Sequence, residues 1–185
     1  MTVHLSPAEA APAVLHFWFE ELTEGQHWRK SPDLDRHIAE RFGAVRKRVL
    51  AEEAAGWRET PATLLAAILL LDQFSRNMFR GTARAFEGDP LALELSKDAL
   101  ERGWVDAAPP PWRQFLMMPL MHSEWLDDQE KCVAEFQRFG EANLKFALLH
   151  RDQIAKFGRF PGRNAALGRR STEAEEAALA EGAAF

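Results

Sequence analysis

The residues best suited to chemistry stand in three separate segments. In ILLLDQFSRNMFRGTARAF, Asp72 and Arg76 are four apart, as are Gln73 and Asn77, and Arg80 follows one turn later. On a helix each pair shares a face. Asp72 can then either fasten Arg76 in an internal ion pair or orient its planar fork toward an external carboxylate or phosphate. In HSEWLDDQE, His122 and Glu124 are the one acid–base pair worth nominating. His-x-Glu is not the i, i+4 spacing that sets two metal ligands on one face, so an acidic helix start or carboxylates awaiting distant arginines are the alternatives. In FGRFPGRNAALGRRST, Arg159, Arg163 and Asn164 lie among glycines that let backbone N–H groups approach an anion. The same loop can equally be pinned by arginine–carboxylate pairs or present a solvated basic surface. It is neither a dinucleotide fingerprint nor a Walker motif, and no cofactor or metal is implied.

Other reactive residue types carry less. Ser75 has no base or oxyanion donor nearby in sequence, which argues against a nucleophile. Cys132 is the single cysteine, so no disulfide forms within one chain, and its helical pattern suits a buried small residue. His4, His16, His27, His37 and His150 show no useful pairing. Phe74, Phe79, Trp125 and Phe160 flank the polar motifs and are candidates for the walls of a pocket.

Charge points the same way. The net charge is −5, yet residues 73–86 and 153–172 hold eight Lys and Arg side chains and no Asp or Glu. Positive charge is thus concentrated in two segments of an acidic chain, which suits a small anionic ligand or an acidic peptide. Nucleic acid needs a dominant basic surface and is not the expected partner. The N-terminal MTVHLSPAEA lacks the features of a signal peptide, and the longest apolar run falls short of the roughly 18 residues of a membrane span. A cytoplasmic location with no membrane partner is expected. The sequence leaves the oligomeric state open.

The elements that must position these residues are helical. Ser6-Pro7, Ser31-Pro32, Thr60-Pro61 and Asp89-Pro90 each read as a cap followed by an early proline. The run from Ala62 to Leu71 is apolar nearly all round, as for a central helix. Pro119 should end or kink its helix. Asp127 or Asp128 is expected to open the next, interrupted near Gly140 and followed by residues 141–157 with Gly158 as a left-handed cap. Thr172 and Glu175 form a capping box. No stretch alternates as a strand does. The expectation is one all-α domain over residues 1–185, an irregular antiparallel helix-pair array with seven or eight helices.

Three of these segments, LLLDQFSRNMFRGTARAF, PLMHSEWLDDQE and FGRFPGRNAALGRRST, together with VLHFWFE and TPATLLAAILLL, resemble the bacterial family catalogued as domain of unknown function 924. The resemblance covers nearly the whole chain. It implies a tetratricopeptide-like helical fold and no established reaction. By resemblance the hallmark positions are Asp72, Gln73, Phe74, Arg76, Asn77, Arg80, His122, Ser123, Glu124, Arg159, Arg163 and Asn164. The chain departs from the family pattern at Ser75, where proline is common, and at Gly162, where histidine is frequent. The combined expectation is a pocket for a small anionic ligand, with a tetratricopeptide-like peptide or protein interaction module and a purely structural polar network as the alternatives.

Overall fold

A computed structural model describes residues 5–140 and 143–182. His4, and residues 141 and 142 of the expected 141–157 helix, lie outside them. The described chain is all-α, with ten helices and no strand. Helix α1 covers residues 7–21, passing from Pro7–His16 into the wide turn Phe17–Glu21. Then come α2, Glu24–Trp28, and α3, Pro32–Ala51. Helix α4 covers residues 61–78, in three continuous parts: Pro61–Leu69, the wide turn Leu70–Phe74 and Ser75–Met78. After it run α5, Asp89–Glu101; α6, Trp104–Ala107; α7, Pro110–Met121; α8, Leu126–Phe139; α9, Leu144–Phe157; and α10, Glu173–Ala180. The count exceeds the expected seven or eight because the short helices α2 and α6 lack an apolar periodicity long enough to read.

The proline starts hold at Pro7, Pro32 and Pro61, each the first residue of its helix. A proline there loses no hydrogen bond and enters with the helical φ already set. Asp89 differs. It is the first residue of α5 and not its cap, which frees its carboxylate for another partner. Helix α7 does not stop at Pro119 but ends two residues later at Met121. Helix α8 starts at Leu126, ahead of the expected Asp127 or Asp128. Gly140 and Gly158 close α8 and α9 with φ of 64° and 69°, the left-handed region where a side chain would be strained. The Thr172–Glu175 capping box opens α10.

The fold divides into two compact units: Met1–Arg80 with Arg84–Leu116, and Gly81–Ala83 with Met117–Phe185. In the first, every side chain from Leu64 to Leu71 is fully buried, as a helix that is apolar all round requires. Phe74 joins this core, its ring 5.0 Å from Phe42, 5.5 Å from Trp18 and 5.8 Å from Phe17, within the range of favourable aromatic pairs. Helix α4 packs on α1, α3 and α5. In the second unit α8 packs along α9, and α10 packs against the single turn Pro161–Arg163. Among the described residues no helix is long and apolar enough to cross a membrane.

Gly88 stands in close approach to the backbone of α4. A Cβ at this position would stand 2.7 Å from the Leu71 carbonyl oxygen, which cannot swing aside as a side chain can. Gly88→Ala is expected to cost about 1–3 kcal/mol through overpacking. Urea denaturation checks this, and an unchanged midpoint would contradict it.

Candidate functional site

The wide turn Leu70–Phe74 sets up the first cluster. Backbone bonds there span five residues, which loosens the ladder just before the polar face begins. Ser75 Oγ donates to the Leu70 carbonyl at 3.1 Å and accepts from Arg46 Nε at 2.9 Å. Its hydroxyl is therefore engaged in structure, which agrees with the case against a nucleophile.

Asp72 is fully buried and meets Arg76 one turn on, with Oδ1 2.8 Å from Nη1. Its other oxygen accepts from Gln73 Nε2 at 2.6 Å. Arg76 also donates both Nη atoms to Asp89 at 2.8 and 2.9 Å, a bidentate pair. Burial disfavours the Arg76 charge, but the two carboxylates more than offset it and hold the guanidinium firmly protonated. Asp35, in the first turn of α3, accepts from Asn77 Nδ2 at 2.8 Å and from Arg80 through Nε and Nη2, both at 2.8 Å. Burial raises the Asp35 pKa, and the bonds from Arg80 and Asn77 outweigh it to leave it lowered. The five residues singled out in this segment thus enter two networks, Asp72, Gln73 and Arg76 with Asp89, and Asn77 and Arg80 with Asp35, and neither Asp89 nor Asp35 was foreseen.

The second cluster joins the residues around His122 to the loop after α9. Glu124 accepts the Phe160 N–H at 2.7 Å and takes a bidentate pair from Arg169 at 2.7 and 2.9 Å. Arg169 also donates to the Phe160 carbonyl at 3.0 Å and to Asn164 Oδ1 at 2.9 Å. Burial raises the Glu124 pKa, but the bonds from Arg169 and Phe160 bring it below the ordinary range. Arg159 forks onto Glu175 at 2.7 and 2.9 Å. Asn164 Nδ2 donates to Ser171 Oγ at 3.1 Å. Arg159 and Glu175 line an open depression with Lys156, Phe157 and Thr172.

Arg163 is placed differently. Its Nη2 donates to the His122 carbonyl at 2.9 Å, and its guanidinium lies over the Phe160 ring at 4.4 Å. His150, which sequence reasoning set aside, meets the same ring edge-on at 5.5 Å and stands 6.2 Å from the His122 ring. Arg163 and His150 therefore meet about Phe160, with the His122 ring beside that of His150. His150, on α9, lies 28 positions after His122 and 13 before Arg163, and no spacing signals that meeting. Of the expected pocket walls, Phe74 and Phe160 are fully buried, whereas Trp125 is 75% exposed.

The Arg159 bonds and the Thr172 N–H depress the Glu175 carboxyl from 4.5 to about 2. A carboxyl more acidic in the folded state supplies stability above its unfolded pKa and loses it as pH falls toward the folded value. Glu124 and Asp35 shift in the same direction. The denaturation midpoint is therefore expected to hold at neutral pH and to drop steeply between about pH 4.5 and 2. Glu175→Gln should flatten part of that drop, and an identical pH profile in the variant would refute the assignment.

Cys132, fully buried in α8, has its thiol pushed up to about 12 by burial and by nearby Glu135, so it is an inert core residue.

These observations define an all-α protein whose two units each enclose an arginine–carboxylate network. The chain belongs to the family described as bacterial protein of unknown function (DUF924), whose model matches residues 14–183. It is similar to a solved protein of unknown function from Agrobacterium tumefaciens, ATU0120, at 35% identity and a TM-score of 0.89, over 95% of this chain and 99% of that one. No curated protein matches it.

Proposed function

We propose that the second unit binds a small anion, a carboxylate or a phosphate, where Arg163 and His150 meet about Phe160 and His122 stands beside His150. The observation that carries this reading is the convergence of a guanidinium and an imidazole on one buried ring, with a second imidazole 6.2 Å from the first. Arg163 is 8% exposed, so its charge acts in a medium of low dielectric and attracts an anion more strongly than a surface arginine does. The Phe160 ring fixes the plane of the fork, and the His122 carbonyl anchors one of its nitrogens. Glu124 and Arg169 hold the loop from both sides of Phe160 and act as positioning residues. In the first unit Arg76 and Arg80 turn their forks onto Asp89 and Asp35, and those two pairings support a structural role.

A thermal-shift screen against phosphorylated and carboxylated metabolites tests the site. A ligand at 100 times its dissociation constant adds about 2.7 kcal/mol, which raises the melting temperature by roughly 5–10 °C in a chain of this size. A hit that disappears in folded Arg163→Ala supports the reading. An empty screen, with Arg163→Ala strongly destabilised, would assign Arg163 to the fold instead.

A second reading, a surface for a peptide or protein partner, is favoured by the exposure of Trp125 at 75% beside Leu126 at 43%. Isolated exposed apolar residues are ordinary, but a tryptophan this open is a common interface anchor. Partner capture that is lost in Trp125→Ala and kept in Arg163→Ala would select this second reading.

A further inference from the structure

Arg46, on α3 in the first unit, is only 2% exposed, yet its guanidinium is incompletely used. Nε donates to Ser75 Oγ at 2.9 Å, and Nη1 meets Glu87 Oε1. Among the described residues Nη2 has no hydrogen-bond partner. A buried charged donor left without an acceptor is costly, so native proteins rarely retain one without a use. A second arginine shares its aromatic and acidic neighbours. Arg84 lies 3.9 Å over the Phe79 ring, and Arg46 stands 5.0 Å from the same ring. Glu87 Oε1 lies between them, 4.0 Å from Arg84 Nε.

We propose that Arg46 and Arg84 form a second oxyanion site, distinct from the one in the other unit, with Glu87 as its internal competitor. A carboxylate or phosphoryl group has two oxygens that can span Nη1 and Nη2 of Arg46 as a bidentate pair. Glu87 presents a single oxygen to this fork and shares it with Arg84. The Glu87 side chain is 37% exposed and that of Arg84 is 63% exposed, so both can swing aside without disturbing the core. Ser75 fixes the Arg46 plane through Nε, leaving the far edge of the guanidinium for the ligand. An entering oxyanion displaces Glu87 and takes Arg84 as its second cation. Glu87 thereby sets a threshold affinity, because only an anion that engages both Nη atoms improves on the carboxylate already there.

The Arg46 Nε–H resonance of ¹⁵N-labelled protein reports on this site. The Arg46 signal is assigned by its loss in Arg46→Lys, with the remaining fingerprint showing that the variant is folded. Titration with inorganic phosphate should move the Arg46 signal saturably. Glu87→Gln, which removes the competing charge, should tighten the apparent affinity about tenfold, and Arg84→Ala should weaken it. An Arg46 signal that phosphate leaves in place in both wild type and Glu87→Gln would overturn the proposal. So would equal affinity in those two proteins, or an Arg84→Ala variant that binds as tightly as wild type.

Discussion

Arg76→Ala is expected to lower the unfolding free energy by about 3–5 kcal/mol, the cost of leaving a buried ion without its partner. Asp72 is the reason. The residue is 0% exposed, and the change removes the guanidinium that stands 2.8 Å from its Oδ1. Asp89 loses a bidentate partner at the same time. The melting temperature should fall by roughly 6–20 °C. Arg76→Lys restores the charge without the fork and should recover part of the loss. Guanidinium denaturation of the three proteins checks the order. A loss below about 1 kcal/mol in Arg76→Ala would rank the network with ordinary surface pairs, and its structural role would fall.

Glu124→Ala should have the next largest effect, about 2–4 kcal/mol, because it removes three charge-assisted hydrogen bonds at once. Two of these hold Arg169, and the third holds the Phe160 N–H. Arg169 in turn ties the Phe160 carbonyl and Asn164. The damage should therefore concentrate in the loop that carries Arg163. Hydrogen exchange gives the local readout: the Phe160 amide should lose protection well before amides in α8. Glu124→Gln keeps an acceptor for the Phe160 N–H and should preserve much of that protection while still weakening Arg169. Uniform loosening of the unit in both variants would show that Glu124 acts on the fold at large.

Much of the helical frame was legible because its signals are local. Ser31 and Thr60 accept from the N–H three residues on, and Pro32 and Pro61 start their helices. The Asp72–Arg76 pair was legible for the same reason, since helical spacing alone brings four-apart side chains together. The partners across the fold were not. Asp35 and Arg80 are 45 positions apart, as are Glu124 and Arg169, and no periodicity links such distances. Asp89 misled because Asp-Pro reads as a helix cap, whereas Gly88 occupies that position and the carboxylate turns to Arg76. Glu175 was recognised as a capping residue, but the same carboxylate also receives the Arg159 fork.

The wide turn Leu70–Phe74 has a consequence for how this chain tolerates change in length. Such a turn accommodates one residue beyond the ordinary helical repeat. Deleting a residue there would let α4 close as a regular α-helix with its backbone bonds intact. Each residue advances a regular helix by about 100°, and the wide turn absorbs one such step, so everything downstream would keep its direction relative to Pro61–Leu69. The apolar segment before the turn, buried on all sides, would keep its seat. Arg76, Asn77 and Arg80 would keep facing Asp89 and Asp35, whereas closing the turn with all its residues retained would swing them away, and Ser75 from Arg46. The turn thus acts as a phase adjuster, converting an all-round apolar rod into a helix end with a single polar direction.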